Sequence, residues 1–419
     1  MKKKILIHSI VFSPDGVSTA YLYNDIAIGF KNAGFEVVVL TTTPHYNVID
    51  SELEKQKLRK EAFGLYYKSQ FEGIDVFHVP QKKFKSFALR AIGFIYWHFI
   101  SFFIGIFLRN INIIISPSPP LTIGLISWFI AKIKGAKVIY NVQEIYPDLL
   151  INQGSLKSKF LLSLLKRLEQ FVYNKSNAVV TIDQVFYNTI VNRFAKKDKL
   201  SIIPNFVDTT IYNPLKAKSI NIDKNIFIDN GELKLMYAGN IGHAQDWKPL
   251  ISIAKKMLGK PVSFWIIGEG VVKAELSNIV ESQKLDNIHL LPYQSRESMA
   301  GVNAFADLHF IFMNPHLDGQ GFPSKVYTIM ACKKPLLVLS RENTPIINFL
   351  NDKNCGYLIS SIDFEEKVDN VVEILNGLII DRTDCFKKGE NGLSVIELNY
   401  SKDIVVEKYI SIVNQLLNE

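Results

Sequence analysis

The chain has 419 residues, 48% of them apolar and 21% charged, a globular composition that excludes intrinsic disorder and fibrous repeats and is long enough for two or three domains. Lys plus Arg number 48 against 40 Asp plus Glu, a formal net charge of +8 that favours an anionic partner: a phosphorylated substrate, an acidic membrane surface or nucleic acid. Cys332, Cys355 and Cys385 are far apart in sequence, so neither a disulfide framework nor a cysteine zinc site is expected.

The chain opens on three lysines and then Ile5-Leu6-Ile7, which stops at His8-Ser9. That apolar run is too short for the core of a secretory signal, so it reads as a first β-strand in a protein expected to stay in the cytoplasm. Ser13-Pro14-Asp15-Gly16 then turns the chain toward Ser18, a candidate N-cap. Leu22, Ile26, Ala27 and Phe30 share one helical face, and Gly34 suits the C′ position. Further strands are predicted at 37–40, 74–79, 113–115, 138–140, 178–182 and 200–203. After Pro204-Asn205 the rhythm breaks, and 213–230 reads as a polar, irregular connection. Strands resume at 233–237, 262–267, 288–291, 308–312 and 336–339, with helical patterns between them. The runs are apolar throughout rather than alternating, as in parallel strands covered on both faces. The expected fold class is α/β: two Rossmann-like, doubly wound parallel-sheet domains, 1–205 and 206–400. Such sheets bind ligands outside the carboxyl ends of their strands, and two in tandem would face a ligand across an interdomain cleft.

The stretch 84–108 is crowded with aromatic residues, including Tyr96, Trp97, Phe102 and Phe103. As a helix its longest apolar run, 91–108, spans roughly 27 Å, short of the ~30 Å hydrocarbon core. Lys82, Lys83, Lys85 and Arg90 precede it and Arg109 follows. The pattern suits a helix lying in the membrane interface, where aromatic and basic side chains meet headgroups. A buried core helix is the alternative. A true span would divide one sheet between two sides of a membrane.

Four loops after predicted strands could hold a phosphorylated ligand. They carry Gly16; Asn240, Gly242 and His243; Gly268 with Gly270; and Gly319, Gln320, Gly321, Ser324 and Lys325. Glycine admits a ligand close to the backbone, and free amides at a helix start attract anions. Each glycine could equally serve a plain turn. Lys325 is the most telling of these residues: a cation in the first turn of a helix opposes the macrodipole, so a ligand is a better reason for it than local electrostatics. No G-x-G-x-x-G fingerprint and no P-loop occur, which removes the main support for dehydrogenase and triphosphatase readings.

In order and spacing, these loops resemble the retaining family-4 glycosyltransferases of GT-B fold, in particular the bacterial surface-polysaccharide subgroup that includes N-acetylfucosaminyl transferases of O-antigen and capsule synthesis. The stretches that carry the likeness are Ile203-Pro204-Asn205-Phe206-Val207-Asp208-Thr209, Tyr237-Ala238-Gly239-Asn240-Ile241-Gly242-His243-Ala244-Gln245, Ile267-Gly268-Glu269-Gly270 and Phe322-Pro323-Ser324-Lys325-Val326-Tyr327, with Tyr140-Asn141-Val142-Gln143-Glu144-Ile145-Tyr146-Pro147-Asp148 in the first half. The resemblance implies a nucleotide-sugar donor, UDP-linked, in the second domain. Gly268 and Tyr293 would lie near the base, with Asn240, Gly242, His243, Ser324 and Lys325 near the diphosphate. The first domain would hold the acceptor, a saccharide on a polyprenyl diphosphate or another membrane-associated carrier, around Glu144, the Gly16 loop and the aromatic helix with Arg90. The final helix, 401–419, would return to the first domain. Where many members carry two glutamates eight residues apart, this chain has Gln320 and Thr328; the usual Arg is His243 and the usual Asp is Glu144.

The implied reaction is transfer with retention and without a metal, Lys325 and His243 stabilising the leaving diphosphate and Glu144 orienting the acceptor or accepting its proton. The enzyme would sit peripherally on the inner face of the plasma membrane and bind no nucleic acid, since its basic residues form no aromatic-lined platform. Two other readings stay open: a UDP-sugar 2-epimerase of the same architecture, and a non-catalytic relative that recruits a partner to the membrane, which the missing glutamates favour.

Overall fold

Every apolar run read as a strand forms one. The computed structural model of the protein describes residues 2–48, 50–81, 86–152, 158–317 and 322–418. The chain divides into two compact units, Met1–Asn205 with Asp403–Glu419, and Phe206–Lys402.

The first unit is built on nine strands: β1 Lys4–His8, β2 Glu36–Thr42, β3 Arg59–Glu61, β4 Tyr66–Phe71, β5 Ile74–Val79, β6 Ile111–Ser118, β7 Lys137–Val142, β8 Ala178–Thr181 and β9 Leu200–Ile202. They pair in the order β3-β4-β5-β2-β1-β6-β7-β8-β9. The strand order reverses about β1, whose neighbours are β2 and β6. The sheet is parallel except at one edge, where β4 runs antiparallel to β3 and β5. Ile5, Leu6, Ile7, Ile113, Ile114 and Ile115 are buried, as strands covered on both faces must be.

The first helix, Ser18–Asn32, starts at Ser18 rather than after it; Val17 holds the cap position and makes no side-chain cap bond. Helix Lys402–Asn418 packs in the first unit, where Tyr409 bonds the Asn141 side chain and Val406 lies against Gly29.

The second unit holds a six-stranded, all-parallel sheet, β10 Leu233–Ala238, β11 Val262–Ile267, β12 Ile288–Leu291, β13 Leu308–Phe312, β14 Leu336–Leu339 and β15 Gly356–Ile359, in the order β12-β11-β10-β13-β14-β15. Its order reverses between β10 and β13, which places the crevice of a doubly wound sheet at their carboxyl ends. The connection read as irregular contains a short helix, Pro214–Ser219, with Asn213 as its N-cap, accepting from the Lys216 amide.

The aromatic helix is Phe87–Phe107. Trp97, Ser101 and Ile104 turn inward, and Trp97 is fully buried against His8 with ring centroids 5.3 Å apart. Gly105 meets Ile130 of helix Leu121–Lys134, a contact that a Cβ would close to 2.4 Å. Trp97 is therefore a core residue and not a membrane contact, because it faces the sheet. Tyr96 and Phe102 are half-buried against the same core, and the Tyr96 hydroxyl donates to the Leu65 carbonyl. Phe103 is exposed, with Ile92, Ile95, Phe99 and Phe107, forming a stripe at helical spacing. The Arg90 side chain and Lys82, Lys83 and Lys85 lie outside the described residues. Among the described residues, no helix is long and apolar enough to cross a membrane.

Candidate active site

In the second unit, three loops meet beyond the carboxyl ends of β10, β11 and β13. Gly239 (φ +150°) and Gly268 (φ +149°) adopt backbone that side-chained residues rarely take, and a Cβ on Gly268 would stand 1.9 Å from the Gly239 carbonyl oxygen. The Gly239 amide donates to the Ile267 carbonyl at 2.8 Å and the Ile241 amide to the Glu269 carbonyl at 2.8 Å. A Cβ on Gly270 would come within 2.2 Å of the Ile241 carbonyl. Glycine is required here because main chain lies directly on main chain.

Lys325 reaches this floor from the start of helix Lys325–Ala331. Its Nζ lies 3.6 Å from the centre of the Tyr237 ring, and a Cβ on Gly239 would meet it at 2.5 Å. The Tyr237 hydroxyl donates to the Asn240 carbonyl at 2.7 Å, so one aromatic side chain both seats the lysine and holds the Asn240 loop. The ring face attracts an ammonium. Withdrawal from water pushes the Lys325 pKa down to about 7. An anion arriving at Nζ would restore the charge.

Asn240 and His243 are exposed on the rim. The His243 carbonyl accepts from Asn314 Nδ2 at 2.9 Å and the Gly242 carbonyl from Trp247 Nε1 at 3.2 Å, which fixes the backbone of both. Tyr293 is exposed and lies within electrostatic reach of Tyr237, whose pKa is raised chiefly by burial. Ser324 is exposed beside Lys325, and the Thr328 hydroxyl donates to the Lys325 carbonyl at 2.9 Å. Asn240, Gly242, His243, Gly268, Tyr293 and Lys325 thus share one end of one sheet. Gly319, Gln320 and Gly321 lie outside the described residues.

In the first unit, the loops after β1, β2 and β7 form a second cluster. The Asp15 carboxylate accepts from the His45 and Tyr46 amides at 2.9 and 2.8 Å, and the Gly16 amide donates to the Tyr46 carbonyl at 2.9 Å. A Cβ on Gly16 would meet the Asn47 carbonyl oxygen at 2.4 Å, so glycine is what lets the two loops cross. Burial raises the Asp15 pKa against the opposing pull of those amides. Ser118 at the end of β6 anchors the loop after β7: its hydroxyl donates to the Glu144 carbonyl at 3.0 Å and accepts from the Gln143 amide at 3.1 Å. The Glu144 side chain is half-buried, and burial holds its carboxyl above the ordinary range. Tyr146 lies within electrostatic reach of both Glu144 and Tyr46.

Sequence reasoning passed over Tyr237, Asn314 and Asp15. Tyr237 ends an apolar strand and reads as core, and Asn314 gives no signal of its own. Asp15 stands in the quoted Pro-Asp-Gly turn, whose geometry hid that its carboxylate reaches thirty residues along the chain to His45.

Residues 232–377 match the family model described as glycosyl transferases group 1. The chain is 24% identical over 295 residues to the probable glycosyltransferase WbjE of Pseudomonas aeruginosa, covering 68% of this chain and 70% of that protein. It is 22% identical over 336 residues to the putative colanic acid biosynthesis glycosyl transferase WcaI of Escherichia coli K12, covering 78% and 81%. The crystal structure of Anabaena Alr3699/HepE in complex with UDP superposes with a TM-score of 0.71 at 13% identity, over 98% of this chain and all of that one. The GT-B fold therefore runs the length of the chain, and residues 232–377 within it are similar to the group 1 glycosyl transferases.

Proposed function

We propose that the protein transfers a sugar from a UDP-sugar, with retention of anomeric configuration, to a lipid-linked saccharide in the synthesis of a bacterial surface polysaccharide. The observation that carries this reading is the seat of Lys325, a cation drawn out of water over Tyr237 and beside the glycine floor, where a diphosphate would find one restorable charge against closely approaching backbone. The Anabaena structure that shares the fold holds UDP. The resemblance drawn above names an N-acetylated deoxyhexose as the donor sugar.

In the proposed reaction the bond from the anomeric carbon to the diphosphate oxygen breaks and a bond from that carbon to the acceptor oxygen forms on the same face. The acceptor proton passes to the departing phosphate oxygen, so the leaving group serves as base and Glu144 positions the hydroxyl. Lys325 offsets the charge growing on the diphosphate. No step calls on a metal.

The exposed stripe Ile92, Ile95, Phe99, Phe103 and Phe107 would rest on the bilayer surface that carries the acceptor, with Arg109 as a flanking cation. Incubating the protein with a panel of radiolabelled UDP-sugars and a polyprenyl-diphosphate saccharide tests the whole reading. Label moving into the lipid fraction with its anomeric configuration kept is the expected result. No transfer from any donor overturns the activity, and an inverted product overturns the mechanism.

A further inference from the structure

Beside the first-unit cluster lies an open cavity of about 700 Å³, lined by Thr43, Pro44, Val48, Leu53, Lys57 and Leu58. Its volume is that of a small-molecule site, about 300–1,000 Å³. Four of its six lining side chains are apolar and one is a cation, so it suits a hydrocarbon that carries a negative charge at one end.

The walls are fixed. Gln56, between Leu53 and Lys57, is buried; it donates to the Ser13 carbonyl at 3.1 Å and to Ser69 Oγ at 2.9 Å, and accepts from Ser13 Oγ at 2.7 Å. Thr43 exchanges hydrogen bonds with the backbone of Gln81, accepting from its amide at 3.0 Å and donating to its carbonyl at 3.2 Å. The lining residue Pro44 leads directly into His45 and Tyr46, the pair clamped by Asp15. Tyr46 in turn lies within reach of Tyr146, next to Glu144. One continuous path therefore runs from the carboxylate that would meet a sugar, across two tyrosines, to an apolar hollow with a lysine in its wall.

We infer that this cavity holds the phosphate-proximal hydrocarbon of the lipid carrier, its apolar walls around the first prenyl units and Lys57 on the phosphate. The inference rests on the lipid-linked acceptor proposed above and gives it a location. A sugar at Glu144 and a chain against Pro44, Val48, Leu53 and Leu58, with Lys57 in the same wall for the phosphate, would match the chemistry of a prenyl-diphosphate saccharide.

Geranyl diphosphate is the probe, with inorganic pyrophosphate as the head group alone and geraniol as the tail alone, each titrated by calorimetry against the full chain saturated with UDP, which occupies the diphosphate seat at Lys325. Geranyl diphosphate is expected to bind at least roughly tenfold more tightly than pyrophosphate, because only it fills the apolar walls. Leu53 and Lys57 are exposed, so Leu53→Glu and Lys57→Glu leave the fold intact. Each should weaken geranyl diphosphate roughly tenfold, and only the lysine variant should weaken pyrophosphate. Equal affinity for pyrophosphate and geranyl diphosphate, or geranyl diphosphate binding untouched by both variants, overturns the assignment. The transfer assay separates this failure from failure of the function. Transfer to a prenyl-diphosphate saccharide with the same acceptor KM in wild type and both variants removes the cavity and leaves the function. Binding that depends on Leu53 and Lys57, without any transfer, removes the function and leaves the cavity.

Discussion

Lys325 in the proposed diphosphate seat would allow UDP binding to be followed through protons. Its pKa of about 7 in the unliganded protein means that above neutral pH the side chain is mostly uncharged. A diphosphate favours the charged form, so UDP binding in alkaline solution must draw a proton from the solvent. Each pH unit above 7 then costs about 1.4 kcal/mol of binding until the pKa of the liganded lysine is reached. Between about pH 7.5 and about pH 9 the affinity should fall roughly 25-fold, with the diphosphate itself already ionised throughout. Calorimetry at about pH 8.5 in buffers of different ionisation enthalpy should read uptake of about one proton per UDP. Lys325→Met should bind UDP more weakly at neutral pH, take up no proton and show a flat profile. Lys325→Arg, charged at every pH used, should also lose the slope. A wild-type protein that binds UDP equally across this range, with no proton uptake, would refute the reasoning. So would unchanged UDP affinity in Lys325→Met.

The glycine floor, Glu144 and the aromatic helix each lead to a further expectation. Gly268→Ala forces a Cβ to within 1.9 Å of the Gly239 carbonyl at φ +149° and should cost about 2–3 kcal/mol or more by urea denaturation; Gly135→Ala, at φ +66° with open space around it, should cost only about 1 kcal/mol, and equal midpoints would contradict this. Because burial raises the Glu144 pKa, transfer should fall as the pH drops through that raised value and the carboxylate is neutralised. Glu144→Gln should be slow at every pH and lack this acid limb; a retained limb assigns it to another group. Trp97→Ala should cost about 3–5 kcal/mol of stability as a fully buried side chain lost from the core. Phe99→Glu should leave the unfolding midpoint nearly unchanged yet abolish co-sedimentation with anionic vesicles, and retained co-sedimentation would remove the exposed stripe as the contact.

The strands were legible because a parallel strand buried on both faces has to be apolar throughout, as Ile113-Ile114-Ile115 and the β11 sequence Val-Ser-Phe-Trp-Ile-Ile are. The edge hairpin was not: Arg-Lys-Glu in β3 and Tyr-Tyr-Lys-Ser-Gln-Phe in β4 face solvent on one side and carry no such run. Gly-Tyr-Leu-Ile in β15 opens on glycine and holds only two aliphatic residues, so it carries no continuous apolar run. The helix Pro214–Ser219 did leave a signal, Asn then Pro at a helix start, which the polar residues after it obscured. In the aromatic helix, composition announced apolar surface on all sides but not which side meets the sheet, so Trp97 and Phe103 looked equivalent. In the site, Lys325 and the glycine loops were visible because each breaks a local rule. Tyr237 obeys every rule of a buried strand, and only the fold reveals that its ring carries the lysine.

The contact of Gly239 with Gly268 has a consequence for how such a site can diverge. A surface made of main chain offers no side chain for substitution to act on, and any replacement of Gly268 would collide with a carbonyl. If the hollow takes the donor as proposed, changes in which donor is accepted would be left to its border, where Asn240, His243 and Tyr293 stand in solvent and can be exchanged without disturbing the stitched loops beneath them.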